Sequence, residues 1–216
     1  MSVDPGVRGV VIDASGIAGL EAYFDAFPAK AAQAMSIAIN YAARGPAIDL
    51  ATEQMYKEVN FPPGYIEDDR LGVKQFSTPT QLEAVITGRD RPTSLARFQE
   101  GATFSGKRGK RGKNAPGAPP ASNVTVTIHP GEPQPFPGAF LVGLFAGKVL
   151  GGNVGFAIRL RPGDPVRGKS IGRQPVQIWP GVFLLYSVSV DQAFGMVRHE
   201  IAPAVMDALE KEFIRQ

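Results

Sequence analysis

The sequence predicts an α+β fold, a mainly antiparallel sheet packed with long helices at its N-terminal and C-terminal ends. Three observations carry this. Apolar residues recur every three or four positions from about Ile17 to Val59, and again from Val190 to Phe213. Between Tyr65 and Leu185 the period shortens towards two. The joints between these runs are short and rich in turn formers, with 25 Gly and 19 Pro in 216 residues, which favours antiparallel pairing.

Taken in order, residues 1–15 read as an N-terminal arm, with Pro5 and two glycines around a short Val10-Val11-Ile12 patch. The remainder, 16–216, reads as a single domain. A helix is expected from about Ile17 to Arg44: Leu20, Tyr23, Phe24, Phe27, Ala31, Ala34, Ile37 or Ala38, and Tyr41 share one face, and Gly45 stops it. Pro28 should kink or divide that run. Pro46 suits the first turn of a second helix, with Ile48, Met55 and Val59 on one side, ending before Pro62-Pro63. Strands are expected over Leu71–Phe76, Gln81–Thr87, Val124–Ile128, Phe140–Phe145, Val154–Leu160 and Val176–Leu185. In the third of these, Val124, Val126 and Ile128 should face inward and Thr125 and Thr127 outward. The glycines from Gly147 to Gly155 read as a hairpin loop or bulge. Ser189 and Gln192 form a capping box. It opens a final helix on which Val190, Phe194, Val197, Ile201, Val205, Leu209 and Phe213 make one stripe, with Pro203 expected to kink it.

Composition narrows the function classes. The chain has no Cys, so neither disulfides nor thiolate chemistry contribute. No secretory signal is visible, and the longest apolar stretch, Ala139–Ala146, is far too short to span a bilayer, so a soluble protein made in a cytoplasm is expected. The formal charge is +3, yet Lys107, Arg108, Lys110, Arg111 and Lys113 place five positive charges within seven residues. The rest of the chain is therefore slightly acidic, and a basic insertion at about 101–122 carries the positive character.

Catalytic patterns are absent. His129 and His199 lie seventy residues apart, with no Cys to complete a zinc set. Gly143 to Lys148 has too few residues between its glycines for a phosphate-binding loop, and Val149 stands where Ser or Thr is needed. Glu67-Asp68-Asp69 lacks the ligand spacing of a calcium loop. No cofactor and no metal site is expected, and the protein reads as a non-enzyme.

The stretch Leu82-Glu83-Ala84-Val85-Ile86-Thr87-Gly88-Arg89-Asp90-Arg91-Pro92-Thr93-Ser94-Leu95-Ala96-Arg97-Phe98 is the most distinctive. Its first half alternates like a strand. Gly88 breaks the strand, Arg89 to Pro92 make a charged turn, and Leu95 and Phe98 bury again. This segment resembles the minor tail protein Z (tail completion) family of tailed bacteriophages. Phe27-Pro28-Ala29-Lys30-Ala31, the Pro62-Pro63-Gly64-Tyr65 turn, Ser187 to Gln192 and the Phe213-Ile214-Arg215-Gln216 ending extend the resemblance. It implies a subunit of the tail-terminator or tail-tube kind, built into a ring, most simply a hexamer, at the head-proximal end of the tail or in the neck. The implied partners are further copies of itself and neighbouring tail and head–tail connector proteins, in the virion and, during assembly, in the host cytoplasm.

Two sets of contact residues follow. Arg89, Arg91, Leu95 and Phe98 are candidates for a subunit interface, the guanidinium forks suiting carboxylates, against the plainer reading of a solvated turn. Lys107, Arg108, Lys110, Arg111 and Lys113 admit three uses: a solvated insertion, docking on an acidic neighbour, or non-specific DNA contact in a lumen. In the last case log affinity should fall against log salt with a slope of roughly −4.5. The basic loop belongs to no pattern shared with the family.

Overall fold

A computed structural model describes residues 10–13, 28–67, 70–100, 124–146, 149–161 and 175–216. In chain order the elements are β1 (Val10–Asp13), α1 (Pro28–Arg44), α2 (Pro46–Glu58), β2 (Leu71–Gln75), β3 (Glu83–Gly88), a single 3-10 turn (Leu95–Arg97), β4 (Gln99–Glu100) and β5 (Val124–Thr127). They continue with β6 (Pro133–Phe136), β7 (Ala139–Ala146), β8 (Val149–Arg159), β9 (Val176–Trp179), β10 (Val182–Leu185) and α3 (Val190–Arg215). All strand pairing recorded among them is antiparallel, so the α+β class stands. Read from sequence as one domain beyond residue 16, the chain's contacts group into two compact units.

The first unit combines the chain up to Tyr56 with Gly64–Asp90 and Val190–Gln216. Its sheet has the order β1-β3-β2. The arm expected at 1–15 is therefore partly a strand: Val10–Asp13 pairs along Ile86–Glu83 of β3. Pro28 opens α1 at its first position, where the missing N–H costs nothing; the helical pattern read over 17–27 lies outside the described residues. Helix α1 packs on α3 and on β3. Its buried face is Ala31, Met35, Ala38, Ile39 and Ala42; of the stripe expected from sequence, Ala31 and the Ala38 alternative are buried, whereas Ile37 and Tyr41 are exposed. The small alanines let α1 approach its neighbours closely, while Met35 and Ile39 fill the gap. Burying each of those two larger chains contributes about 1.5–3 kcal/mol.

Helix α3 behaves as its stripe predicts: Val190, Phe194, Val197, Ile201, Val205 and Leu209 are all buried. It runs through Pro203 without ending. Phe213 is only half-buried, and Glu212 takes the covered position beside it.

The loop after β2 is locked to α1 by side chains. Asn40 donates to the Ser77 carbonyl at 2.9 Å and accepts from the Ser77 N–H at 2.8 Å, while Ser36 Oγ donates to the same carbonyl.

The second unit, Lys57–Pro63 with Arg91–Ser189, holds two sheets, β4-β5-β6 and β7-β8-β10-β9. Val124, Val126 and Ile128 face inward as expected, but Thr127 is buried too. Its N–H donates to the Phe98 carbonyl, and its own carbonyl accepts from Asn60 Nδ2. The glycines after Val149 belong to one long strand, β8, and of the two expected forms the bulge is present: pairing with β7 jumps from Leu144–Asn153 to Phe145–Leu150, leaving Gly151 and Gly152 extra. Gly155 sits where Val142, Leu144 and Leu184 converge, and a Cβ there would stand 2.7 Å from Leu184 Cδ2. The strand expected over 176–185 is a hairpin, folded at Pro180-Gly181 with Gly181 at φ 72. Phe136 and Phe156 meet edge to face at 5.6 Å between ring centres, joining the two sheets.

Candidate partner-contact surfaces

The distinctive segment 82–98 divides between the units, and most of its residues serve the fold. Gly88 ends β3 directly against the start of α3. A Cβ there would lie 2.6 Å from the Asp191 Cα and N atoms and 2.9 Å from the Val190 carbonyl carbon. Only glycine fits that approach. The next residue is pinned by its backbone: the Arg89 N–H donates to the Arg70 carbonyl at 2.7 Å, and the Arg89 carbonyl accepts from the Asp191 N–H at 3.3 Å. Arg70 in turn lies over the Tyr65 ring, 4.4 Å from its centre. The Arg89 side chain is exposed, carried on a backbone that cannot drift.

Within the second unit, the Ser187 N–H donates to the Thr93 carbonyl at 2.7 Å, and Ser94 Oγ accepts from the Ala96 N–H, capping the 3-10 turn. That turn drives Leu95 and Phe98 inward, to 0% and 3% exposure. Phe98 packs on Phe61 at 5.7 Å. Both side chains are therefore spent on this chain's own core, which corrects their reading as interface residues. Arg91 is exposed. The arginines, not the apolar pair, are what the segment leaves for a partner.

The basic residues Lys107, Arg108, Lys110, Arg111 and Lys113 lie outside the described residues, as do Asp68 and Asp69. Glu67 is exposed and lines a shallow cleft with Asp49, Glu53, Ile48, Ile66 and Leu71. Among the described residues no three His, Cys, Asp or Glu side chains come together to hold a metal, and no helix is long and apolar enough to cross a membrane. His129 has Nδ1 2.9 Å from the Glu58 carbonyl, a structural contact within the second unit. His199 is exposed on α3.

A surface that sequence reasoning assigned to the core lies on the first unit. Ile37 and Tyr41, at i and i+4 on α1, are 43% and 50% exposed. Arg44 follows on the same face, its guanidinium 4.2 Å from the centre of the Phe76 ring, which is 40% exposed. Close by, Arg215 holds Glu212 through two bonds, Nε to Oε2 at 2.9 Å and Nη2 to Oε1 at 2.7 Å. Gln216 adds a third, at 2.6 Å. The Arg215 hydrogen bonds keep the Glu212 carboxyl below the ordinary glutamate range, outweighing the opposing effect of burial. Spacing alone does not separate the two faces of α1, because Met35–Ile39 and Ile37–Tyr41 are both i, i+4 pairs.

Comparison with known protein families, with curated proteins and with solved structures finds no match.

Proposed function

We propose that this protein is a structural component of a phage tail, completing the head-proximal end of the tail or the neck by ring assembly and protein–protein contacts. The observation that carries the reading is the segment 82–98, the part of the chain that most resembles the tail-completion family. Its glycine, serine and apolar positions have defined duties in the fold, and its arginines stand exposed on a pinned turn. An exposed Arg fork on a turn whose backbone is fixed offers carboxylates a bidentate donor at a defined place, which suits a repeated contact between subunits. The half-exposed Ile37, Tyr41, Arg44 and Phe76 surface adds the aromatic and arginine content that contact surfaces favour.

Native mass spectrometry of the purified chain, alone and with neighbouring tail proteins across a salt series, tests this. A closed oligomer of more than two copies, or one that appears on adding a tail protein, is expected. A monomer under every condition refutes it. The five clustered cations favour one alternative, a virion protein that contacts DNA through the Lys107–Lys113 stretch. Changing all five to Ser would then abolish DNA binding and its steep salt dependence. Unchanged affinity would dispose of that alternative.

A further inference from the structure

Among the described residues each sheet has two outer strands, and every one of these except β7 is five residues long or shorter. In the first unit β1 has four residues, while β2 has five, with an exposed Lys74 and a register shift between Val73 and Gln75. In the second unit β4 is two residues long, and β6 has Pro133 and Pro135, each without the N–H that a ladder requires. Strand β9 is four residues, bounded by Pro175 and Pro180. Shortness, Lys, bulges and Pro are the usual protections of an edge.

Strand β7 has neither shortness, Lys nor Pro, and its register shift against β8, between Leu144 and Phe145, comes only after a regular run over Ala139–Leu144. It is eight residues long, Ala139-Phe140-Leu141-Val142-Gly143-Leu144-Phe145-Ala146, with no charge and no proline. It ends the order β7-β8-β10-β9, and among the described residues no strand other than β8 pairs with it.

We propose that the outer edge of β7 is a pairing surface for a second copy of this chain, β7 to β7 and antiparallel, joining two four-stranded sheets into one of eight. The backbone of an edge offers alternating donors and acceptors, so its occupant is an extended strand. A partner strand with charged residues would find nothing on β7 to balance them. An uncharged, apolar strand matches, and β7 is itself such a strand. Self-pairing also satisfies both free edges at once, under a closed two-fold.

The pleat restricts the register. Opposed residues must lie on the same face, so the paired residue numbers must have an even sum. A two-fold through Val142 meets this. It sets Leu141 opposite Gly143 of the partner subunit, large against absent, and Phe140 opposite Leu144 of the partner subunit. Phe140 and Leu144 lie on the face that carries the Val142, Ala157, Val182 and Leu184 cluster, so pairing makes that cluster continuous between copies. The pairing stands apart from the tail reading: a dimer formed by the pure chain supports it whether or not a tail partner exists.

The absence of cysteine allows a clean test. Val142→Cys would face its own symmetry mate with Cβ atoms about 5 Å apart, near enough for a disulfide after small adjustment. Under diamide, which takes up the two thiol hydrogens, Val142→Cys should link into dimers roughly tenfold faster than Trp179→Cys on the exposed β9, because only the former is held in opposition. In the unaltered protein, amide exchange over Phe140–Leu144 should slow as concentration rises. Faster linking of Trp179→Cys, or exchange in β7 that is independent of concentration, overturns the proposal. The exchange measurement decides it even where a cysteine variant fails to fold.

Discussion

Replacing Gly88 by Ala adds one methyl group and should cost this protein more than any comparable surface change. The new Cβ would stand 2.6 Å from two backbone atoms of Asp191 and 2.9 Å from the Val190 carbonyl carbon. Carbon atoms settle at about 3.5–4.0 Å, so relief needs roughly 1 Å of movement. Nothing in the contact can yield by rotating, because every atom met is backbone. Either the end of β3 or the first turn of α3 must retreat. Such overpacking costs about 1–3 kcal/mol. The retreat also lengthens the Asp191 N–H to Arg89 carbonyl bond, already 3.3 Å, at a further cost of about 1 kcal/mol.

The expected loss is about 2–4 kcal/mol, a large part of the ~5–15 kcal/mol that holds a typical protein folded. In a chain of this size that lowers the melting temperature by roughly 5–15 °C. The control is Gly72→Ala, in β2 of the same sheet, where a Cβ meets nothing within 4 Å. That change should be neutral or stabilising by up to about 1 kcal/mol, since alanine restricts the unfolded chain. Urea and thermal denaturation of the two variants side by side measure the difference. Equal midpoints would refute the claim that Gly88 is required by close backbone approach.

Further expectations concern single contacts. Asn40→Ala removes both bonds to Ser77 and leaves the N–H of that buried residue without its partner; a loss of about 2–3 kcal/mol is expected in urea midpoints. Gly195→Ala, inside α3 where a Cβ meets nothing within 4 Å, should stabilise by about 0.5–1 kcal/mol, read as a higher melting temperature. Glu212 is held ionised by Arg215, so its folded pKa lies below its unfolded one. Its contribution is therefore present above the ordinary glutamate pKa of 4.5 and is lost as pH falls through the folded value. Glu212→Gln should lower the urea midpoint at pH 7 and flatten the acid limb of the stability profile; an unchanged limb refutes the assignment. Gly155→Ala should cost about 1–3 kcal/mol by displacing Leu184, measured by denaturation.

The elements most legible in the sequence were those with a long, clean period. The Val190–Leu209 stripe and the Val124-Val126-Ile128 alternation bury as their patterns imply. Helix α1 was only partly legible because its buried face is built largely of alanine: Ala31 and Ala38 lay on the expected stripe and are buried, but Ile37 and Tyr41, far weightier by hydrophobicity, face outward. The hairpin over 176–185 was hidden by reading the apolar run as continuous. Its turn signal, Pro180-Gly181, has the proline that presets φ and the glycine that takes the left-handed conformation. The same dipeptide recurs at Pro63-Gly64, Pro130-Gly131 and Pro137-Gly138, where every glycine has positive φ. In the segment 82–98 the strand, the Gly88 break and the burial of Leu95 and Phe98 were visible. What periodicity could not reveal is that burial withdraws those two residues from any partner, or that Gly88 serves contact with a helix a hundred residues away.

The first unit is assembled from three stretches of chain, and the last of them, α3, supplies the cover for α1. About 130 residues separate Tyr56 from Val190. At ordinary synthesis rates of about 5–20 residues per second, Met35, Ile39 and their alanine neighbours, about 150 residues before Val190, wait roughly 8–31 s on the ribosome before α3 begins. The second unit is interrupted only by Gly64–Asp90 and is complete before α3 emerges. Synthesis therefore imposes an order in which the middle of the chain closes first and the two ends meet last. Until they meet, the nascent chain displays an apolar helix face that a chaperone can occupy, and a ribosome stalled before Val190 leaves a product with one finished unit and one that has no lid.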